Sequence, residues 1–317
     1  MQQKIPTIII VGAGLGGLTL YHALIKNKDK KEFNVKIFDR ESSPQERWQG
    51  YHIGINNYGA RSLINCVPSS IALNLPKAIP NSVPNIEYHG FSLSDHMGNL
   101  LLRPPTKQAK DVYEVANISV GYSIIVTYRD KLRHVLLENV PVQWVDDNDP
   151  ASVVDHVKYM IRKLRPECEM TDILLELWNL VPKTTSKTYN PVRRRKMQDI
   201  DPLSVNAWTS NRITLLGDAV HATSPVLSSG ANNAIQDAEV LSNALLNYSP
   251  ENYISCIKEY ENEMKKRSSA EVLKSRHVEL KQTSPVGYIG SIFRNNSIRV
   301  SNFIMNLFDY NFLARKN

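Results

Sequence analysis

Runs of apolar residues, broken by polar turns, divide the chain into segments with two different periods. Ile8–Val11 is a short, continuous, β-branched run of the kind a strand buried on both faces carries in a parallel sheet. A helix over roughly 16–26 follows it, and Asn34–Arg40 (NVKIFDR) reads as a second strand. Much later, Ile213–Asp218 (ITLLGD) reads as another apolar strand that breaks into a polar turn. Beyond that turn Ala231, Ala234, Ile235, Ala238, Leu241 and Leu245 fall on one helical face. Ser228 or Ser229 is the expected cap at the start of this helix.

The intervening and final segments are less regular. Ile86–Arg103 alternates partly and turns at Asp95–Asn99, which predicts a hairpin. Asp146–Pro150 reads as a turn, after which Val153, Val157, Met160, Ile161 and Leu164 make a helical stripe. A short helix is expected over Thr171–Leu180 and a loop over Pro182–Pro191. Glu251–Gln282 is a long charged helical stretch with Ile254, Ile257, Tyr260 and Met264 inward. Ile289–Phe308 is amphipathic and reads as a helix capping the domain, with weak membrane-surface contact as its other use.

Composition narrows the class. At 317 residues, 42% hydrophobic and 22% charged, the chain can bury a sizeable core in one large domain or two ordinary ones. Its net charge of +7 attracts anions but names no partner. The basic runs Lys28–Lys31 and Arg193–Lys196 read as solvated loops or helix ends. No aromatic-interleaved basic patch accompanies them, so nucleic acid is not an expected partner. The three cysteines Cys66, Cys168 and Cys256 are far apart, which argues against a disulfide framework and excludes a CxxC-type metal site. No metal ligands are expected. No signal peptide or integral membrane segment is read, and a cytoplasmic location is expected.

Candidate chemistry begins where the first strand ends. Gly12, Gly14 and Gly17 fit G-x-G-x-x-G: a tight turn, a backbone that can approach a pyrophosphate, and a helix packed close to the strand. The helix start then points free N–H groups at phosphates. Asp39 lies 39 − 17 = 22 residues after Gly17, near the usual acidic position, where a carboxylate accepts bonds from ribose hydroxyls. This motif alone does not separate NAD from FAD.

The later signature separates them. GDAVHATSPVLSSGANNAIQDAEVL resembles the second FAD motif of the flavoprotein aromatic hydroxylases, the FAD monooxygenases related to p-hydroxybenzoate hydroxylase, through Gly217, Asp218, Ala219, His221, Pro225, Gly230, Asn232, Asp237, Ala238 and Leu241. Arg129, Leu132 and Leu136 match the family's R-x-x-L-x-x-x-L helix, and the stretch around Gly50 resembles the segment that runs beside the cofactor. The resemblance implies an α/β fold: a Rossmann-like FAD-binding domain, a reduced α+β substrate domain and C-terminal helices. The expected bounds are 1–55, 120–145 and 205–250 for the FAD domain, 56–119 and 146–204 for the substrate domain, and 251–317 for the helical end. The implied cofactor-binding residues are Gly12, Gly14, Gly17, Asp39, Arg40, Gly50, Arg129, Asp218, Pro225, Gly230, Ala231 and Asn232; Arg47 and His52 are weaker candidates. In the family the aspartate matching Asp218 contacts the ribityl and pyrophosphate side of FAD, and the helix near Gly230 points its positive end at the flavin ring. His221 is expected to pack and hydrogen-bond behind the cofactor rather than to react.

The implied activity is an FAD-dependent monooxygenase. NAD(P)H is the co-substrate, a flavin C4a-hydroperoxide is the oxygen donor, and the acceptor is a small aromatic or unsaturated molecule. No side chain need serve as nucleophile or base, so no catalytic residue is named. A nicotinamide-dependent dehydrogenase would have no use for the second signature. One departure stands out: the chain has no Asp-Gly dipeptide, which the family carries on a further strand, and it is about 100 residues shorter than such enzymes run. The deletion lies near Trp144–Pro150. A gap there would leave strand edges and apolar side chains exposed, and the alternative function is a catalytically impaired remnant of the family.

Overall fold

The computed structural model describes residues 5–39, 41, 51–79, 92–103, 112–117, 124–144, 158, 161–162, 167–179, 198–205, 212–284 and 286–314. In chain order its elements are β1 (Thr7–Val11), α1 (Leu15–Lys26), β2 (Asn34–Asp39), β3 (His52–Asn56), α2 (Asn57–Cys66), α3 (Ser69–Ala72), β4 (Leu93–Ser94), β5 (Leu100–Leu102), α4 (Val112–Asn117), β6 (Ile124–Tyr128), α5 (Arg129–Leu137), β7 (Val142–Trp144), α6 (Glu169–Asn179), α7 (Asp218–His221), α8 (Ser229–Leu246), α9 (Tyr253–Thr283) and α10 (Tyr288–Ala314). The expected helical stripe at 153–164, the turn at 146–150 and the loop at 182–191 lie largely or wholly outside the described residues.

The N-terminal unit is β1–α1–β2. β1 pairs in parallel with β2, Ile8 opposite Val35 and Ile10 opposite Ile37, and β2 pairs in parallel with β7. This gives the order β1-β2-β7 and leaves β1 at an edge. The periodicity of β1 departs from its expected burial on both faces. Ile10 turns into the core, while Ile9 and Val11 are 63% and 86% exposed. The residues are apolar enough for a two-sided strand, but only one face of it is covered.

Residues 213–216 do not form the strand their apolar run predicts. A strand needs a neighbouring ladder, and no described strand pairs with the free edge of β1. The segment is held by α9 instead: the Tyr260 hydroxyl donates to the Leu215 carbonyl at 2.8 Å, and Thr214 donates to Glu261 at 2.9 Å. Ile213 is left 74% exposed.

The core lies on the covered side of the sheet. Leu18, Ile37, Leu63, Leu136, Ile235 and Met264 are fully buried in one cluster. Each such side chain contributes about 1.5–3 kcal/mol of transfer free energy. α1 is apolar on most sides because the sheet, α2, α5 and α8 all pack on it. α8 is the hub, touching α1, α2 and α9. Leu63, Ile71 and Leu75, in a stretch expected to open the substrate domain, join this same cluster.

Two helical expectations need correction. Ile257, Tyr260 and Met264 are buried on α9, but Ile254 is about half exposed in its first turn, beside the loop leading back to α8. α10 does not cap the domain with its apolar face. Its half-buried row is Ser291, Asn295, Ile298 and Asn302, and Asn302 accepts the Arg103 N–H at 2.7 Å. It rests on the β4–β5 hairpin, whose turn is closed by Asp95 N–H to the Asn99 carbonyl at 2.9 Å.

Candidate functional site

The turn after β1 is shaped by backbone that only glycine accepts easily. Gly12 has φ +110°, and its N–H reaches across to the Phe38 carbonyl at 2.7 Å, tying the turn to β2. A Cβ at Gly17 would collide with the Gly12 carbonyl, so the start of α1 sits directly under the turn. Around Gly12 and Gly14 there is open space instead. Gly14 is the N-cap of α1 and supplies no capping side chain. The first-turn N–H groups therefore face an open cradle, an arrangement that accepts anions.

Acidic and basic side chains brace this turn from beneath. Asp39 Oδ2 accepts the Ala13 N–H at 2.6 Å and Oδ1 accepts the Glu41 N–H at 3.1 Å. Arg133, buried in α5, donates from Nε to the Ala13 carbonyl at 2.8 Å. It also pairs with Glu41 at 2.8 Å and lies 3.7 Å from Asp39. Neither Arg133 nor Glu41 was singled out from the sequence. The nearest signal was Arg129, one helical turn earlier on the same helix. Arg129 is half-buried at the start of α5, its guanidinium over the Tyr51 ring at 5.6 Å and its N–H bonded to the Tyr51 carbonyl at 3.1 Å. His52 stacks on Tyr128 across the β3–β6 pair, with ring centroids 4.4 Å apart. Arg40, Arg47 and Gly50 lie outside the described residues.

The second turn is held from α8. Gly217 has φ +61°, and its N–H donates to Asp237 Oδ2 at 2.8 Å. His221 Nε2 donates to the same oxygen at 2.5 Å, and Arg267 of α9 donates to Oδ1 at 2.8 Å and to Asn233 at 3.0 Å. Asp237 is fully buried. Burial pushes its carboxyl up, but the His221 hydrogen bond and the charges of His221 and Arg267, with the Gly217 N–H, outweigh it and hold the group below the usual carboxylate range. An ionised Asp237 accepts only, so His221 carries its proton on Nε2. The histidine is thus a bonding residue behind the turn.

The residues ahead of α8 are open. Asp218 is exposed, its carboxylate 3.9 Å from where a Cβ on Gly230 would stand. Pro225 begins a 3-10 turn, and Gly230 and Ala231 are half-buried in the first turn of α8. Ser228 occupies the N-cap position in a left-handed conformation, φ +52°, but its side chain makes no cap bond, contrary to the expected serine cap. The hydroxyls of Ser224 and Ser229 are buried without a hydrogen-bond partner among the described residues. Asn232 is a strut. Its Nδ2 donates to the Gly54 and Ser228 carbonyls at 2.7 and 2.9 Å, and its Oδ1 accepts the Asn56 N–H at 3.1 Å. Those bonds tie β3 to α8.

The two turns meet. A Cβ on Gly16, in the first turn of α1, would stand 2.6 Å from Leu216 and 3.1 Å from the Ala234 carbonyl of α8; one on Gly217 would stand 3.1 Å from the Ala234 side chain. Two helix starts without a side-chain cap and open space at Gly12 and Gly14 leave backbone N–H groups at this junction that can accept an anionic ligand.

Residues 168–275 match the family model described as FAD binding domain. The chain is 29% identical over 143 residues to the FAD-dependent monooxygenase thnD of Trichoderma harzianum, a match that covers 43% of this chain and 29% of that protein. It is 31% identical over 129 residues to the phenazine 1,6-dicarboxylic acid hydroxylase PhzS of Lysobacter antibioticus, covering 38% of this chain and 30% of that protein. These matches span about three tenths of the length of the curated relatives. Among solved structures, HpxO of Klebsiella pneumoniae complexed with FAD and uric acid shares the fold, with TM-score 0.64 at 14% identity over 96% of each chain. The chain is similar in sequence to FAD-dependent monooxygenases and hydroxylases and carries their fold.

Proposed function

We propose, from this likeness to FAD-dependent monooxygenases, that the chain binds FAD and inserts one oxygen atom of O₂ into a small aromatic or unsaturated substrate, with NAD(P)H as reductant and water as the second product. The observation that carries the reading is that the first turn of α1 and the Gly217 turn both close on Ala234, in the second turn of α8, while the starts of α1 and α8 have no side-chain cap. A pyrophosphate fits the N–H groups of α1 beside Gly12 and Gly14. The opposite end of the cofactor fits the start of α8 at Gly230 and Ala231, with Asp218 alongside. Bound FAD would supply the redox chemistry.

The chain's own residues bind and orient. Asp39 and Arg133 keep the first turn rigid by gripping the Ala13 N–H and carbonyl. Asp237 fixes the second turn through Gly217. The positive end of α8 favours the negative charge that reduction leaves on the ring system. The test is a visible absorption spectrum of the purified protein, with released flavin identified after denaturation. Bands near about 375 and 450 nm at about one FAD per chain, followed by substrate-stimulated NAD(P)H oxidation, are expected. A protein that stays colourless with excess FAD overturns the reading.

A further inference from the structure

The C-terminal helix α10 presents its apolar side to solvent. Ile289, Phe293 and Phe303 are 70%, 73% and 67% exposed, and Val300, Ile304, Leu307 and Phe308 continue the same stripe. At 100° per residue these positions share an arc of about 140°, opposite the half-buried row of Ser291, Asn295 and Asn302. The side toward the protein is fixed by two contacts: Asn302 with the Arg103 N–H, and Arg299 with Asp95 at 3.9 Å. The outward stripe is therefore set by how the helix docks on the β4–β5 hairpin. Over the 21 residues 288–308 it is about 30 Å long.

Charge decides what the stripe meets. Arg294 and Arg299 are exposed, one at each border of the apolar arc, and residues 288–308 contain no Asp or Glu. A second copy of the helix would bring arginines to arginines, and residues 288–308 offer no carboxylate between them; Asp95 of the hairpin, 3.9 Å from Arg299, is already engaged within the same molecule. A bilayer with anionic headgroups answers both arginines and takes the broad, Phe-rich face into its interface. Among the described residues no helix is long and apolar enough to cross a membrane, so the helix would lie in the surface. We propose that α10 docks the protein on anionic lipid surfaces, with Phe293, Phe303 and their neighbours inserted and Arg294 and Arg299 at the headgroups.

The test is flotation of the full chain with vesicles of phosphatidylcholine alone or with about 30 mol % phosphatidylserine. The chain is expected to float with the anionic vesicles, weakly with the neutral ones, and to be released by salt. Phe293→Glu with Phe303→Glu lowers binding at least about tenfold, whereas Ser297→Ala with Ser301→Ala, at the edge of the arc, leaves it unchanged. Arg294→Glu, which leaves the Arg299–Asp95 contact in place, keeps the apolar stripe and lowers the preference for anionic vesicles. This second variant stands in should the first fail to fold by circular dichroism. No flotation, or equal flotation with both vesicles, overturns the proposal. So does a wild-type dimer in solution that the Phe293→Glu, Phe303→Glu pair converts to monomer without any vesicle binding.

Discussion

Asp237 is the residue on which the second turn depends. It receives three elements at once: the Gly217 N–H, His221 of α7 and Arg267 of α9. Asp237→Asn takes the buried charge from beneath three donors, while Arg267 keeps its pair with Glu263 at 2.7 Å; losing charge-assisted hydrogen bonds of this kind costs about 1.5–3 kcal/mol. Urea unfolding at neutral pH should register that loss, and FAD affinity should fall with it. A pH series sharpens the prediction. The Asp237 carboxyl is held lower in the folded protein than in the unfolded chain. Its contribution is therefore complete above the unfolded carboxylate value of about 4 and is lost as pH falls through the folded value. Wild type and Asp237→Asn should diverge near neutrality and converge in acid; a gap that persists unchanged to low pH would contradict this. The neighbouring case of Arg133 shows why such residues are hard to read from sequence. The motif drew attention to Arg129, and nothing in RDKLRHVL distinguishes the arginine one turn later. Arg133 is set apart only by what α5 places beside it: Ala13, Asp39 and Glu41, from segments about 90–120 residues away.

At the level of elements, β1 divides its residues sharply. Ile10 lies in the core and Val11, next along the strand, is almost wholly in solvent. Ile10→Ala should cost about 2–4 kcal/mol. Val11→Lys should change stability by no more than about 0.5 kcal/mol and reduce self-association, because a charge on an edge strand discourages edge-to-edge pairing. Unfolding midpoints and light scattering of the two variants separate these effects. A large loss from Val11→Lys would show that something covers that face. α5 is located by its match to the R-x-x-L-x-x-x-L helix, whereas apolar patterning located β2, α8 and α9, whose apolar positions largely follow the neighbours they pack on. It failed at 213–216 and at α10 for the same reason. An apolar run records a tendency to be covered, and the partner that would cover it is a property of the rest of the chain. The absence of an Asp-Gly dipeptide is legible in the sequence, which leaves open whether the sheet closes up or keeps a gap; among the described residues no strand pairs with the outer edge of β1.

Across the whole molecule, the glycine turns are made early and late. Gly12 and Asp39 come from the first segment, whereas Gly217, Asp237 and Arg267 come from the last third, and α8 is the element that joins them. The position of α8 has a consequence for biosynthesis. α1 and α2 are translated first, yet the helix against which both of them pack is not made until residues 229–246 have been added. During translation the first two-thirds of the chain therefore waits with an unfinished core, exposed to chaperones and proteases. A fragment ending at residue 212 should be digested rapidly by a nonspecific protease under conditions in which the full chain is resistant. A protected fragment covering α1 and α2 would mean that the early half closes on its own. The nascent chain cannot bury α1 and α2 fully until α8 has been added, so the rate of translation through the stretch before residue 229 sets how long those helices are vulnerable.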